Sequence, residues 1–222
     1  MSDVIESATQ LLMLAEDKEL SGKTMRNVVA PGCGLAGADL DSVTLERVSL
    51  ERGNLSNVRL EHASLRSVDL TGVDLERALL HRVRAYDNTI MTEARMAACE
   101  IRRCELGPNL RMPKADLSRS KIQGTTFRQA ELYGATFKNA ILIRCHFVDY
   151  GNSTASLTRA RFIEAVLIDV DLREVNLYGA DFSRALLIRC DLRAARLDEA
   201  VMTGARLIDC RTEGADLSSA TV

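Results

Sequence analysis

A five-residue period runs through almost the whole chain and limits its fold more than any other feature. Leu35, Leu40, Leu45, Leu50, Leu55, Leu60, Leu65, Leu70, Leu75 and Leu80 occupy every fifth position, and the register reaches back through Ala30, Met25 and Leu20. It resumes one residue late at Met96, Ile101 and Leu106. A second shift sets the phase of Met112, Leu117, Ile122, Phe127, Leu132, Phe137, Leu142 and Phe147. The same phase then runs from Leu157 through Phe162, Leu167 and Leu187 to Leu207 and Leu217. Two residues before each large apolar residue stands a small one, and the residue between is often polar, as in Ala38-Asp39-Leu40 and Ala180-Asp181-Phe182.

A period of five fits neither the 3.6 of a helix nor the 2 of a strand. It fits a chain that takes a short extended step, turns a corner and repeats. The small and the large residue then both point inward, two apart as strand alternation requires. Coils stacked in this way pair their backbones as a parallel sheet does. The filling must be aliphatic, because apolar residues make up 46% of the chain, aromatics only 4%, and there is no Trp.

The A-(D/N)-L-X-X unit resembles the pentapeptide-repeat family over roughly nine-tenths of the chain. That resemblance implies an all-β fold: a right-handed quadrilateral parallel β-helix, or solenoid, with four repeats per coil and about ten coils. At about 4.8 Å per coil the rod is roughly 45–50 Å long.

Open ends of such a stack invite aggregation unless covered. Residues 1–18 read as an N-terminal α-helical cap and 19–222 as the β-helix. In the cap Val4, Ile5, Ala8, Leu11, Leu12 and Ala15 form one helical stripe, Ser2 or Asp3 supplies the N-cap, and Leu11, Leu12 and Leu14 cover the first coil. Three interruptions break the pattern, at 84–91, 107–113 and 148–154. The first two shift the register, whereas the third keeps it with Asn152 in the inward slot. Loops on a rigid scaffold often carry function, which makes Tyr86, Asp87, Asn109, Arg111, Tyr150 and Asn152 candidate contact residues.

Little in the sequence reads as chemistry. Cys33, Cys99, Cys104, Cys145, Cys190 and Cys210 all fall in the small inward slot, where they act as small hydrophobes and stay reduced. His62, His81 and His146 occupy outward positions without patterned partners. Asp39, Asp69, Asp74, Asp116, Asp171, Asp181, Asp191 and Asp216 recur as part of the repeat, so no catalytic pair stands out. The reading is a non-enzyme with no cofactor, no metal and no catalytic residue.

The net charge is −2, which argues against direct nucleic-acid binding. Residues 111–160 nevertheless hold eight Lys and Arg against three acidic residues, a basic belt between mildly acidic ends. No stretch is long and apolar enough to span a membrane, and Met1 to Glu6 lacks the features of a signal peptide. The expected location is the cytoplasm.

One outward ladder is unusually apolar. Positions 20 apart should stack, which aligns Val148, Ile168, Ile188 and Ile208, with Val166 and Leu186 beside them. Ile141, Ile143 and Ile163 fall on the neighbouring face. Contiguous exposed aliphatics mark an interaction surface, and a twofold contact pairs such a patch with itself. The function expected is therefore a protein–protein scaffold or adaptor, homodimeric through the Ile168/Ile188 face, with a secretion-system component among its expected partners. The alternative implied by the resemblance is a DNA-mimic that binds DNA gyrase or topoisomerase IV and protects it from quinolones or other poisons.

Overall fold

In the computed structural model, which describes residues 3–16, 19–148 and 156–215, the chain winds into a parallel β-solenoid of about ten turns. Four faces alternate along each turn. The first face is an eight-stranded parallel sheet running from Val4–Ile5 and Thr24–Arg26 to His146–Val148. The fourth is a second eight-stranded parallel sheet, from Arg59–Glu61 to Arg206–Ile208. The second and third faces are ladders of single parallel bridges, such as Val29↔Ser49↔Asp69 and Gly34↔Asn54↔Asp74.

The pentad explains this geometry residue by residue. Central residues such as Leu45, Leu60 and Leu167 are buried, as are the small residues two before them, such as Val43, Val58 and Ala165. Each corner then needs a residue in the left-handed region two places after the centre. Glycine supplies it at Gly37 (φ 69°) and Gly204 (φ 69°), and Asn, Arg or Ser elsewhere, as at Asn57 (φ 58°), Arg47 (φ 52°) and Ser42 (φ 57°). The aspartates preceding the centres serve the same corners. Asp69, Asp74, Asp116 and Asp181 each accept, at 2.9 Å, the N–H two residues on, which fixes the turn.

All five phenylalanines are buried, and they stack in two columns. Phe127 lies over Phe147 at 4.7 Å, and Phe137, Phe162 and Phe182 succeed one another at 4.8 Å, with rings within 4° of parallel. These separations are the rung spacing itself, so identical residues on successive coils meet face to face. Where a hydroxyl enters the small slot it is satisfied. Ser120 donates to the Met96 carbonyl at 2.8 Å and accepts the Cys99 N–H at 3.2 Å. Thr89 donates to the Tyr86 carbonyl at 2.8 Å.

The N-terminal cap departs from expectation. Val4–Ile5 is not helical; it is the first strand and pairs with Thr24–Met25. The helix is Ala8–Glu16, and its cap is Ser7, whose Oγ accepts the Gln10 N–H at 3.2 Å. Ile5 completes the sheet because its side chain can enter the core, which a helical stripe could not have arranged at that depth. Leu11 and Leu14 are buried over the first coil, while Leu12 points outward.

The interruptions are mostly corner bulges. Arg84–Tyr86 remains a strand, and the extra residue is taken up at Asp87 and Asn88, two consecutive left-handed positions (φ 50° and 64°). Gly107–Asn109 absorbs the second, after which Arg111 returns to its ladder between Ile90 and Glu131. The third behaves otherwise. Glu131↔Ser156, Thr136↔Arg161 and Ile141↔Val166 are all 25 residues apart, so that coil contains one pentad more than its neighbours. Register is therefore not kept through it in the sense of stacking. Asn152 and Tyr150 lie outside the described residues.

Candidate interaction surface

On the fourth face, outward residues flank each centre, buried on every rung but the last, where Leu207 is exposed, and successive rungs place them in two columns. From the N-terminal end the pairs are Arg59/Glu61, Leu79/His81, Glu100/Arg102 and Lys121/Gln123. They continue as Ile141/Ile143, Val166/Ile168, Leu186/Ile188 and Arg206/Ile208. The character changes sharply at Ile141. Seven of the last eight outward positions are aliphatic, in one uninterrupted stripe. Ile141 and Ile208, at its ends, are 37% and 36% exposed. The residues between are half-buried, since neighbours about 4.8 Å apart cover one another.

This placement corrects the sequence reading in two respects. Ile141 and Ile143 belong to the stripe itself, because Ile143 pairs with Ile168 across the 25-residue coil. Val148 does not belong to it: its strand lies on the first face, paired with Thr126–Arg128, and His146 bridges onward to Asp171. A uniform offset of 20 fails wherever a coil is longer. Ile163 follows Arg161 on the third face, beside the stripe as expected.

The candidate loop residues do not project as a group. Tyr86 lies in a strand with its hydroxyl 3.4 Å from Ser64 Oγ, and Asp87 pairs with Arg66 at 3.0 Å. Asn109 is a corner residue (φ 60°), and Arg111 pairs with Glu131 at 3.0 Å.

Charges on the other ladders are interleaved. Arg26 meets Glu46 at 2.9 Å, Arg95 meets Asp74 and Glu76, and Arg189 holds Asp169 through both oxygens at 2.7 and 2.8 Å. The hydrogen bond from Arg189 keeps the Asp169 carboxyl below its ordinary 3.8, and Arg193 does the same to Asp191.

The thiols sit where the period puts them. All six are free, and all but the half-buried Cys210 are buried. Burial pushes Cys99 and Cys190 up to about 12 and Cys104 and Cys145 up to about 11, which suits packing rather than nucleophilic chemistry. Among the described residues no His, Cys, Asp and Glu cluster is disposed to hold a metal ion. No described helix is long and apolar enough to cross a membrane.

The architecture is that of a repeat solenoid with an aliphatic stripe along one of its faces. The chain belongs to the pentapeptide-repeat family, whose profile matches in 8 copies over residues 45–82, 114–147, 155–193 and 185–221. None of the curated proteins matches its sequence. Among solved structures it is similar to HetL, a pentapeptide repeat protein involved in heterocyst differentiation regulation in the cyanobacterium Nostoc. That likeness has a TM-score of 0.55 at 22% identity, covering 96% of this chain and 95% of that one. QnrB1, a plasmid-mediated fluoroquinolone resistance protein, aligns over 95% of this chain and 88% of its own at 14% identity and a TM-score of 0.41.

Proposed function

We propose that this protein is a non-enzymatic scaffold that binds protein through the aliphatic half of its fourth face, with a second copy of the chain as the occupant. The observation that carries this reading is the stripe from Ile141 to Ile208, contiguous over four rungs. Solvated strands have no need of it, because Thr satisfies the same β preference without exposing hydrocarbon.

The charges along its edges select the occupant. One edge carries Glu164 and Arg184, the other Asp169 and Arg189, each on successive corners and each paired within the chain. A twofold axis along the strand direction brings two rods face to face and antiparallel, so that the 166–168 rung of one lies over the 186–188 rung of the other. Asp169 then faces the Arg189 of the other copy, Glu164 faces its Arg184, and Ile168 packs against its Ile188. The parallel alternative sets Asp169 against Glu164 and Arg189 against Arg184. Like charges opposed in this way are unfavourable, so the antiparallel pair is preferred.

Light scattering on the purified chain tests the proposal. A particle of twice the 24.4 kDa chain mass is expected. The Ile168→Arg/Ile188→Arg double variant should be monomeric with unchanged secondary structure. A wild-type monomer, or a dimer that survives both substitutions, overturns it. The gyrase-binding alternative expects an acidic face along the rod, and the interleaved Arg–carboxylate ladders give it no comparable support.

A further inference from the structure

Next to the stripe, where the fourth face turns into the first, the corner column reads His62, Arg82, Arg103, Gly124, Arg144. Backbone hydrogen bonds establish the stacking: Arg82 N–H donates to the Arg102 carbonyl, Arg103 N–H to Gln123 and Gly124 N–H to Ile143, each at 2.9 Å. Further along the same column Asp169 and Arg189 neutralise each other. Arg82, Arg84, Arg103 and Arg144 have no carboxylate within ion-pair distance among the described residues, and Arg82 reaches only His62 Nε2, at 3.4 Å. Asp169, already held by Arg189, is the acidic neighbour on the rung next to Arg144, and Glu105 stands in register with Arg84. Arg82 and Arg103, stacked on adjacent rungs of the column, repel one another, an arrangement that an anion relieves.

Gly124 gives that anion a place. Its corner conformation (φ 57°) is met elsewhere in this column by arginine, yet here there is no side chain, and the nearest atom to a notional Cβ is Arg103 Cγ at 3.8 Å. The gap opens a recess of about 330 Å³ lined by His81, Arg102, Arg103, Gln123, Gly124 and Arg144. Arg102 is held by Glu100, while Arg103 and Arg144 bracket the gap, two rungs or about 10 Å apart along the rod. No Phe, Tyr, Trp or aliphatic side chain lines it, so it has nothing to seat the apolar residues of a peptide, and three of its six lining residues are arginines. Guanidinium forks match phosphoryl oxygens two at a time.

We propose that this recess binds a compact multivalent oxyanion of the phosphate-monoester or pyrophosphate class, held between Arg103 and Arg144. The unpartnered arginines occupy only about four rungs, roughly 15 Å of rod, and Glu105 borders Arg84 and Arg103 on the next recess. The footprint is that of a small phosphorylated ligand and not of a nucleic-acid strand.

The test is calorimetric titration of the full chain with inorganic pyrophosphate at about 0.1 M salt, where remote surface charges are screened. Saturable binding at one site per chain is expected, equally in the Ile168→Arg/Ile188→Arg variant, so the outcome is independent of dimer formation. Arg103→Gln should weaken binding about tenfold or more through loss of a charge-assisted fork. Arg103→Lys should lose part of that, and Arg47→Gln, on a corner away from the recess and bonded to Asn27, should lose none. Should Arg103→Gln not fold, Arg144→Gln provides the same reading. No saturable binding, an equal loss in Arg47→Gln, or a short single-stranded oligonucleotide that binds as tightly as pyrophosphate would each overturn the assignment.

Discussion

The two halves of the fourth face share one backbone and carry opposite surfaces. From Arg59 to Gln123 and from Ile141 to Ile208 the strands are equally short and equally parallel, and their centres, Leu60, Leu80, Leu142 and Leu167, are buried alike. Outward, the first half shows Arg59 bonded to Glu61 at 2.7 Å and His81 near Glu61, and the second shows only aliphatics until Arg206. The contrast shows that this fold separates its two codes. Inward and corner residues specify the coil, whereas the outward positions flanking the centres of this face differ between its two halves without altering the coil and are free to specify a partner.

The comparison is broken most forcefully from the inside. Leu60→Ala in the polar half and Leu167→Ala in the aliphatic half should each cost about 2–5 kcal/mol, measured by denaturant unfolding, because each leaves a cavity between stacked coils. A large difference between them would mean that the halves do not share one packing code. Phe162→Ala, in the middle of a three-ring column, belongs at about 3–5 kcal/mol.

A smaller effect separates the surfaces. Arg59→Ile/Glu61→Ile should change stability by no more than about 0.5 kcal/mol and leave the particle mass as it was. The two new side chains would meet only Leu79 on the next rung, which makes no continuous patch, so new association in this variant would show that a short apolar cluster suffices and that the length of the stripe is immaterial.

The smallest effect lies in the charge pairs along the stripe's edge. Asp169 titrates below 3.8 in the folded protein through its bond from Arg189. The folded carboxyl is depressed relative to the unfolded one, so its contribution is present above the unfolded value and is lost as pH falls through the folded one. NMR titration should place its midpoint under 3.8, and Arg189→Gln should return it to the ordinary range. Because the pair is solvent-exposed, the accompanying stability change should be slight. A midpoint unaffected by Arg189→Gln would remove the pair from the account of the edge.

Much of this was legible in the sequence because an inward slot is defined by local spacing. Leu35 through Leu80 mark their own coils, and the cysteines declare themselves as small-slot residues by standing two before a centre. The outward assignments were less secure. Ile168, Ile188 and Ile208 stack as a 20-residue offset requires, but Ile143 joins them and Val148 leaves them, because the coil between is 25 residues long. Spacing along a chain does not say whether an irregular pentad is counted in the coil or set aside from it. The arginine column was hidden for the same reason: Arg82, Arg103 and Arg144 are 21 and 41 residues apart, and only the stacking shows them to be neighbours.

The sequence by itself determined that this chain is a solenoid, which residues fill it and which corners turn it, since each of those is settled within five residues. Only the tertiary structure decided which outward residues share a face. That depends on the summed lengths of whole coils, where a single inserted residue at Asn88 or Gly107–Asn109 displaces every later partner. The aliphatic stripe and the arginine recess are both products of that sum.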